Sequence, residues 1–455
     1  MKTKKKNKKE IPVPIIKHYR IIYLLFLLVI PLVLYFRVVN FGLSELDDDT
    51  IISGINNAEG SKINLKEAFT HDAMMSERGD SFYRPIQIVS LMIDSEIGGS
   101  ETWSYHLSNL ILHILTVITL FFFLKKTGIK EEISFLLALL FSVNPVFTNA
   151  VAWIPARGDL LLCLFSLLSF ISFLEYYDTK KTVYLIVHVI VFLLAIFSKE
   201  TSVLLPFFIL SYLYFVQKKK FHIKEIIPLL IIWFVTLAAF FALRQSVLKI
   251  NHTVSEFGIF PFIKNLPAIP ITLGKFFIPY NLCTLPSFNA IASIIGIILA
   301  IVLTLLIIKD IRTNKRIFAW GALWFLVFTI PPMLFRSIDP NLGIEKYDYL
   351  DFRAYLPIAG LLVVVGFIIN ERYAIISFKK MLMFFIPILT IYSFLAFNYS
   401  ADFSDSISFY TSAIRANPDN IINLVVRGTI YYGQGHIQNA ISDFDHAIRI
   451  YPTYS

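Results

Sequence analysis

The chain has 455 residues, of which 56% are hydrophobic and only 16% are charged. Its mean hydropathy of +0.67 is far too high for a soluble globular protein, so the composition predicts an all-α polytopic membrane protein. The formal net charge is +9, but the basic residues lie in short runs between apolar segments. That pattern orients membrane proteins and does not indicate a nucleic-acid partner.

The N-terminus, MKTKKKNKKE, is a basic tail followed by an apolar run over residues 19–35. No small-residue cleavage pattern follows this run, so it does not read as a signal peptide. We expect residues 1–20 to form a cytoplasmic tail and the run to be an uncleaved first span.

Three consecutive aspartates, Asp47, Asp48 and Asp49, follow the first apolar run. Carboxylates this close repel one another, so at least one should have a raised proton affinity or be held by a cation or hydrogen bonds. That environment suits a general base or a metal ligand. The alternative is a solvated acidic loop that keeps a short connection out of the bilayer.

Ten further apolar segments are long enough, or nearly so, to cross about 30 Å of hydrocarbon, which gives about eleven spans. They cover residues 104–124, 133–151, 159–177, 182–197, 201–216, 226–246, 290–308, 317–335, 355–370 and 380–398. Segment 263–279 contains prolines and is too irregular for a full span, so we expect an interfacial or re-entrant helix on the outer face.

Assigning alternate loops to the cytoplasm collects the basic stretches KKTGIK, DTKK, QKKKFHIK, KDIRTNKR and 372–380 on the side of the N-terminal tail. The outer side then holds the acidic triplet within an outer loop 40–103, and everything after residue 398. We therefore expect three units: the tail 1–20, a transmembrane domain 21–398, and an extracytoplasmic unit 399–455.

Four cations fall on the outer side, where each could bind a phosphate. Each also has a structural alternative, namely a snorkelling anchor, an ion pair between Arg157 and Asp159, or neutralisation of Glu200 by Lys199. The four are Arg84, Arg157, Lys199 and Arg353.

Several polar and aromatic outer residues are further site candidates. His106 stands on one helical stripe with Asn109 and His113, and polar groups on one stripe in lipid must face a cavity or another helix. Aromatic and charged residues beside span ends suit phosphate or carbohydrate contacts, although an aromatic interface belt would look similar. These candidates are Tyr83, His106, Asp159, Glu200 and Tyr355. The two cysteines, Cys163 and Cys283, are too few and too separated for a metal site.

The C-terminal unit contains two similar pieces, AIRANPDN and AIRIYPTY, separated by about one tetratricopeptide period of roughly 34 residues. Small, aromatic and helix-ending residues fall where this repeat needs them: Gly428, Tyr431, Gly435, Ala440, Phe444, Ala447 and Pro452. One full repeat and a preceding helix are visible. Because such repeats are stable only when stacked, this one must contact the membrane domain, a partner or further residues.

An ordered series of motifs carries a family resemblance: FGLSELDDDTIISGINN, SFYRPIQIVSLMID with HLSNLILH, NPVFTNAVAWIPARGDLLLCLFSLLSF, FSKETSVLLPFFI, FRAYLPIAGLL and the repeat. Together they resemble the transmembrane and tetratricopeptide-repeat proteins and their bacterial relatives, which are GT-C class glycosyltransferases and include protein O-mannosyltransferases. The chain departs from many relatives at Asn144 and Thr148, where they have histidines. Its acidic motif is a triplet, and it has a single repeat.

The resemblance implies transfer of a sugar from a polyprenyl phosphate to an acceptor hydroxyl, with protein Ser or Thr as the expected acceptor, on the extracytoplasmic face. A carboxylate must take the hydroxyl proton, a role given to Asp48 with Asp47 and Asp49 as alternatives. Arg84, Arg157, Lys199 and Arg353 are the candidate contacts to the leaving phosphate. One-step displacement would invert the anomeric carbon, whereas retention would require a second nearby carboxylate.

Apart from the lipid-linked donor, no cofactor is indicated, and a divalent metal stays an open alternative. The expected partners are the polyprenyl-phosphate sugar, membrane lipid, an acceptor protein or glycan, and a protein bound by the repeat. We expect a bacterial inner-membrane protein with a cytoplasmic N-terminus and an extracytoplasmic C-terminus. Alternative functions are glycosylation of a lipid or cell-envelope glycan, transport, and a non-enzymatic scaffold.

Overall fold

The computed structural model describes residues 15–57, 64–75, 82–218, 223–248, 255–309, 315–338, 345–346, 349–372 and 377–452. Most of the basic tail, most of KDIRTNKR, and parts of QKKKFHIK and of 372–380 lie outside these residues. The described chain is helical almost throughout, which confirms the all-α membrane class. Apolar sequence makes helices here because a spanning segment must satisfy its backbone hydrogen bonds internally.

The described part of the N-terminal half contains eleven α-helices. They are α1 (Ile15–Tyr35), α2 (Asp48–Asn57), α3 (Leu65–Thr70), α4 (Pro85–Gly98), α5 (Trp103–Lys126), α6 (Glu131–Ser142), α7 (Thr148–Ala152), α8 (Arg157–Thr179), α9 (Thr182–Ser198), α10 (Leu205–Ser211) and α11 (Ile223–Val247). A 3-10 turn, Glu200–Leu204, precedes α10, and a π-helical turn, Tyr212–Val216, extends it.

The residues described in the C-terminal half form nine more helices and three short strands. The helices are α12 (Ile259–Asn265), α13 (Ala268–Phe277), α14 (Ala290–Lys309), α15 (Lys315–Met333), α16 (Pro357–Arg372), α17 (Phe378–Ser400), α18 (Ser406–Ala416), α19 (Ile421–Gly433) and α20 (Ile437–Ile450). The strands β1 (Ser255–Phe257), β2 (Phe335–Ile338) and β3 (Glu345–Lys346) form an antiparallel sheet in that order, with residue 256 opposite residue 336.

Among the described residues, seven helices are long and apolar enough to cross a membrane, and eight if a bent pair counts as one span. In that pair α6 meets the segment Pro145–Ala152 at 52°. Pro145 cannot continue α6, and Asn144 Oδ1 instead accepts the Val146 amide at 3.1 Å. The sequence predicted about eleven spans. All eleven segments are helical, but those at 182–197, 201–216 and 355–370 form shorter helices.

Small residues allow close helix contacts in the membrane domain. A Cβ on Gly321 of α15 would lie 2.7 Å from the carbonyl oxygen of Gly360 on α16, and a Cβ on Gly360 would lie 2.6 Å from the carbonyl of Gly321. The two backbones therefore approach at a distance that only glycine permits. The segment predicted to be interfacial or re-entrant contains α12 and α13, two short helices rather than a span.

Ion pairs define one end of the helix bundle. Arg20 pairs with Glu131 at 2.7 Å, Lys125 with Glu131 at 2.8 Å, and Lys126 with Glu175 at 2.7 Å. The described parts of the basic loops after α5 and α8 thus lie beside the start of α1. The alternating topology predicts this arrangement, while the assignment of this end to the cytoplasm stays a prediction.

The opposite end of the bundle joins the ends of the first and last spans. The Gly42 amide donates to Ser404 O at 2.8 Å, and Arg37 donates to Ser400 Oγ at 2.7 Å. After α17, helices α19 and α20 pack antiparallel: Tyr431 meets His436 near the turn, and a Cβ on Gly428 would lie 2.6 Å from the Phe444 ring. The tetratricopeptide assignment and the unit boundaries stay predictions.

Candidate functional site

The acidic triplet lies at the start of α2, and its three side chains have different environments. Asp48 is only 2% exposed, whereas Asp47 and Asp49 are half-buried. The backbone amide of Ser44 donates to Asp48 Oδ2 at 2.7 Å. The Ser44 hydroxyl and the Asp49 amide donate to Oδ1 at 3.0 and 3.1 Å. Burial raises the pKa of Asp48 above its ordinary value, although these hydrogen bonds oppose the rise.

Two residues outside the triplet complete the surroundings of Asp48. The Trp153 indole Nε1 donates to Ser44 Oγ at 3.0 Å. On α5, His106 is buried, and its Nε2 lies 3.3 Å from Gly42 O. The structure thus places the predicted candidate His106 against the backbone of the acidic loop. Trp153 and Ser44 are not among the predicted site residues, because nothing local in the sequence indicates that residues 109 positions apart meet beside Asp48.

Helix α18 packs on the same acidic loop. Ser406 donates to Glu45 Oε1 at 3.2 Å, and the Tyr410 hydroxyl donates to Glu45 O at 3.4 Å. Burial raises the pKa of Tyr410, and the nearby acidic side chains raise it further. The first helix after the last span is therefore part of the wall around the triplet.

Three of the four predicted cations form a second cluster with two carboxylates. Lys199 pairs with Asp159 at 2.6 Å, and both side chains are buried. Arg84 binds Glu200 through two bonds of 3.2 and 3.0 Å. Burial lowers the pKa of Lys199; the charge of Asp159 raises it, and repulsion from Arg84 and Arg353 lowers it further. Arg353 therefore belongs to this cluster electrostatically. Arg84, Lys199 and Arg353 thus lie near one another, beside the carboxylates of Asp159 and Glu200.

Arg157, the fourth cation, is engaged elsewhere. Its guanidinium pairs with Asp94 at 2.7 Å and donates to Tyr105 O at 2.7 Å, and it also bonds Asn109 and Ser90. The ion pair between Arg157 and Asp159 that the sequence suggested is therefore replaced by two separate pairs. Nothing local in the sequence marks Asp94 as the partner of Arg157, because the two lie 63 positions apart on different helices.

The two tyrosine candidates lie in packed interior. The Tyr83 hydroxyl donates to Phe69 O at 3.1 Å, and its ring packs against Phe197 and Phe240. The Tyr355 hydroxyl lies 2.5 Å from Nδ1 of His113, whose Nε2 lies 3.1 Å from Ser142 O. Both tyrosines thus hold helices together at these contacts.

Aromatic rings connect the acidic loop to the cation cluster. The Trp153 and Phe352 ring centroids are 5.5 Å apart, and Lys199 Nζ lies 5.7 Å from the centroid of Phe352. Phe352 also precedes Arg353, whose side chain lines a small pocket. That pocket lies between α13, the end of α15 and the 3-10 turn Asp351–Ala354, and includes Ile271, Thr329 and Tyr349.

A further buried ion pair joins α13 to the 3-10 turn Asp351–Ala354. Lys275 of α13 pairs with Asp351 at 2.9 Å, and both side chains are almost fully buried.

Within the described part of the chain, no group of three or more His, Cys, Asp or Glu side chains comes together in a way that could hold a metal ion.

Comparisons with known proteins match this chain to one class of enzyme. Residues 89–243 match the family "Dolichyl-phosphate-mannose-protein mannosyltransferase". These residues include Asp94, Arg157, Asp159, Lys199 and Glu200, whereas the acidic triplet, Arg84 and Arg353 lie outside them.

Individual relatives carry similar names. Human protein O-mannosyl-transferase TMTC1 is 36% identical over 110 residues, which cover 23% of this chain and 12% of the human protein. A protein O-mannosyl-transferase of Caenorhabditis elegans is 24% identical over 446 residues, 90% of this chain and 60% of the nematode protein. Drosophila melanogaster Tmtc1 is 28% identical over 174 residues, 38% of this chain and 20% of the fly protein. The chain thus spans less than two thirds of these relatives.

Proposed function

We propose, on the premise that this chain is a relative of the protein O-mannosyltransferases, that it is a membrane glycosyltransferase that modifies proteins. In this proposal a hexose moves from a polyprenyl-phosphate donor to a Ser or Thr hydroxyl. The observation that carries the proposal is the combination of a buried, hydrogen-bonded carboxylate with a cation cluster, connected by the rings of Trp153 and Phe352.

Asp48 is the proposed general base. An acceptor hydroxyl is a poor nucleophile, so its proton must leave as the oxygen attacks the anomeric carbon. Oδ1 of Asp48 already accepts two hydrogen bonds and Oδ2 accepts one. A carboxylate oxygen has room for about two such bonds, so Oδ2 is the atom we assign to receive the proton. The raised pKa of Asp48 makes the carboxylate a stronger base than an exposed aspartate.

Arg84, Lys199 and Arg353 are the proposed contacts to the leaving phosphate. A polyprenyl phosphate departs as an anion and needs charge stabilisation rather than an acid. Asp159 and Glu200 hold Lys199 and Arg84 in place before the donor binds, and a group of three neighbouring cations favours an anionic ligand. Because Arg157 is fully engaged by protein groups, this proposal rests on the other three cations.

Single displacement is the proposed stereochemical course. Attack from the side opposite the phosphate inverts the anomeric carbon, and a retaining mechanism would need a second carboxylate near the first acting as nucleophile. Asp47 and Asp49 flank Asp48 in sequence, but they are half-buried whereas Asp48 is enclosed. We further propose that the site faces the extracytoplasmic side of a bacterial plasma membrane, because the described basic loops lie at the other end of the bundle.

A defined transfer assay tests this proposal. The protein is reconstituted in liposomes with one of several polyprenyl-phosphate hexoses and a Ser/Thr-containing acceptor polypeptide, and glycosylation is measured by mass spectrometry. We expect one donor to support transfer to protein hydroxyls, and nuclear magnetic resonance of the product to show inversion.

Matched reactions make the assay decisive. An acceptor with alanine at every Ser and Thr should stay unmodified, and Asp48→Asn protein should transfer at least about 10²-fold more slowly with every donor. Transfer to added glycan or glycolipid, with none to protein, would contradict the proposed acceptor class. Absence of transfer from all polyprenyl-phosphate hexoses would overturn the proposed donor.

A further inference from the structure

The hydrogen bonds around Ser44 form a directed chain from Trp153 to Asp48. An indole N–H is a donor only, so the 3.0 Å contact from Trp153 Nε1 makes Ser44 Oγ the acceptor. Ser44 has a single hydroxyl hydrogen, which is then free for Asp48 Oδ1, also 3.0 Å away. The side chains involved are 5%, 4% and 2% exposed, so water does not compete for these bonds.

Ser44 donates hydrogen bonds to both oxygens of the Asp48 carboxylate. Its amide donates to Oδ2 and its hydroxyl to Oδ1, which fixes the plane of the carboxylate relative to the loop. The hydroxyl can do this only in one of its rotational positions. The indole N–H favours that position, because it occupies one acceptor site of the oxygen and excludes the positions in which the hydroxyl hydrogen would face it.

Trp153 is itself held by several elements. Its carbonyl accepts a hydrogen bond from Asn109 of α5 at 3.2 Å. Its ring packs against Phe352 at 5.5 Å and against Phe409 of α18 at 6.2 Å. The indole therefore cannot turn away from Ser44 without disturbing both neighbours.

We propose that Trp153 is a positioning residue for the transfer reaction. Through its hydrogen bond to Ser44, it fixes the orientation of the Asp48 carboxylate relative to the cation cluster. The ring of Phe352 lies between Trp153 and Lys199 of that cluster. This inference rests on the proposed function, in which Asp48 is the base. Trp153 does not touch a substrate in this proposal and acts only through Ser44.

Other ionisable groups also surround Asp48 and stay unchanged in the test. They are Glu45, Asp47 and Asp49 on its own loop, Tyr410 on α18, and His106 where α5 contacts the loop at Gly42. A change in pH dependence on altering Trp153 or Ser44 can therefore be assigned to the hydrogen-bond chain.

The test compares the pH dependence of kcat/KM for the acceptor, at saturating donor, in five variants. Ser44→Ala removes the hydroxyl bond that lowers the pKa of Asp48, so its acidic limb should move to higher pH. Its kcat should fall about tenfold, the usual scale for a hydrogen bond to a charged group, with donor KM unchanged. Trp153→Phe keeps the ring but loses the N–H, so it should shift the limb in the same direction by a smaller amount.

Two further comparisons separate orientation from general damage. Ser44→Thr retains a hydroxyl and should keep the parental acidic limb. The double variant Ser44→Ala with Trp153→Phe should match Ser44→Ala alone, since the indole acts only through the hydroxyl. As a matched control, Trp320→Phe removes another buried indole donor, one that bonds Ser211 Oγ at 3.1 Å, and should leave the pH profile unchanged.

The outcomes distinguish this inference from the function on which it rests. If Asp48→Asn is inactive but Trp153→Phe keeps the parental pH profile, or if its effect adds fully to that of Ser44→Ala, Trp153 is not a positioning residue. An equal limb shift in Trp320→Phe would also overturn the proposal. If Asp48→Asn keeps full activity, the proposed base and this inference both fail.

Discussion

Burial and hydrogen bonding distinguish one aspartate from two neighbours of identical chemistry. Asp48 is enclosed and accepts three hydrogen bonds, while Asp47 and Asp49 on either side are half-buried. The N-terminal turn of α2 adds a positive helix dipole that favours the carboxylate form. Burial has the larger effect and raises the pKa of Asp48, while the hydrogen-bond donors hold its carboxylate in place.

Replacing Asp48 tests whether this carboxylate is the base. Asp48→Asn is nearly isosteric but cannot take a proton, so turnover should fall by about 10²-fold or more. Donor affinity should change little, because the carboxylate works on the acceptor side. The measurement is kcat and donor KM in the liposome assay. Asp47→Asn and Asp49→Asn are the matched controls, and equal tolerance of all three changes would argue for a merely solvated loop.

Arg353 offers the clearest test of the donor contact. It lines a pocket and lies in the cation cluster, so Arg353→Ala should raise donor KM, with a cost of about 2–5 kcal/mol for a desolvated charge contact. Binding of a polyprenyl-phosphate analogue, measured by calorimetry, should weaken in parallel. Lys264→Ala removes a cation on nearby α12 and should have no such effect. Parental donor affinity in Arg353→Ala would exclude it from the phosphate site.

The Arg157–Asp94 pair should contribute to stability rather than to donor binding. Both side chains are almost completely buried, and removing one partner of such a pair costs about 3–5 kcal/mol. Arg157→Ala should therefore lower the Tm in detergent markedly. Arg20→Ala breaks the Arg20–Glu131 pair, in which the Arg20 side chain is 45% exposed. This control should lower the free energy of unfolding by about 1 kcal/mol or less. A parental Tm with a raised donor KM in Arg157→Ala would instead make it a phosphate contact.

At the scale of elements, periodicity and hydropathy located the helices because spanning segments carry strong local signals. The segment containing Asn144 and Pro145 was predicted as one span, yet the proline bends it by 52°. Local sequence indicated chemistry at Asp48, Lys199 and Arg84. It could not identify Ser44 and Trp153 as the neighbours of Asp48, or Asp94 as the partner of Arg157, since those contacts depend on which segments pack together.

The last two helices offer a test of element packing. A Cβ on Gly428 would lie 2.6 Å from the Phe444 ring, so Gly428→Val should force α19 and α20 apart. We expect faster cleavage by a protease within residues 418–452, with transfer to a short peptide acceptor retained. A Cβ on Gly433 meets nothing within 4 Å, so Gly433→Ala is the control. Unchanged protease resistance in Gly428→Val would contradict this packing.

At the scale of the whole molecule, the described charged residues form two groups at opposite ends of the bundle. One end carries ion pairs of basic loop residues, including Lys125, Lys126 and Arg20. The other end carries Asp48, the cation cluster and the contact between α18 and the acidic loop. Because α18 borders the loop that holds Asp48, the C-terminal helices and the proposed active site must lie on the same side of the membrane.

The sidedness of the C-terminal helices can be measured by cysteine labelling. The native Cys163 and Cys283 are both buried, so they provide a low background. Gln438 is exposed on α20 and Lys181 is exposed between α8 and α9. We expect Gln438→Cys to react with a membrane-impermeant thiol reagent in intact cells, and Lys181→Cys to react only after permeabilisation.

The labelling experiment compares two positions, 438 and 181, that are expected on opposite sides of the membrane. Cytoplasmic basic loops and an extracytoplasmic acidic loop are consequences of one charge rule, so the two cysteines must show opposite behaviour. If Gln438→Cys required permeabilisation while Lys181→Cys did not, the whole orientation would be reversed, and Asp48 would face cytoplasmic acceptors. If both reacted in intact cells, the two ends could not lie on opposite sides, and the alternating span assignment itself would be wrong.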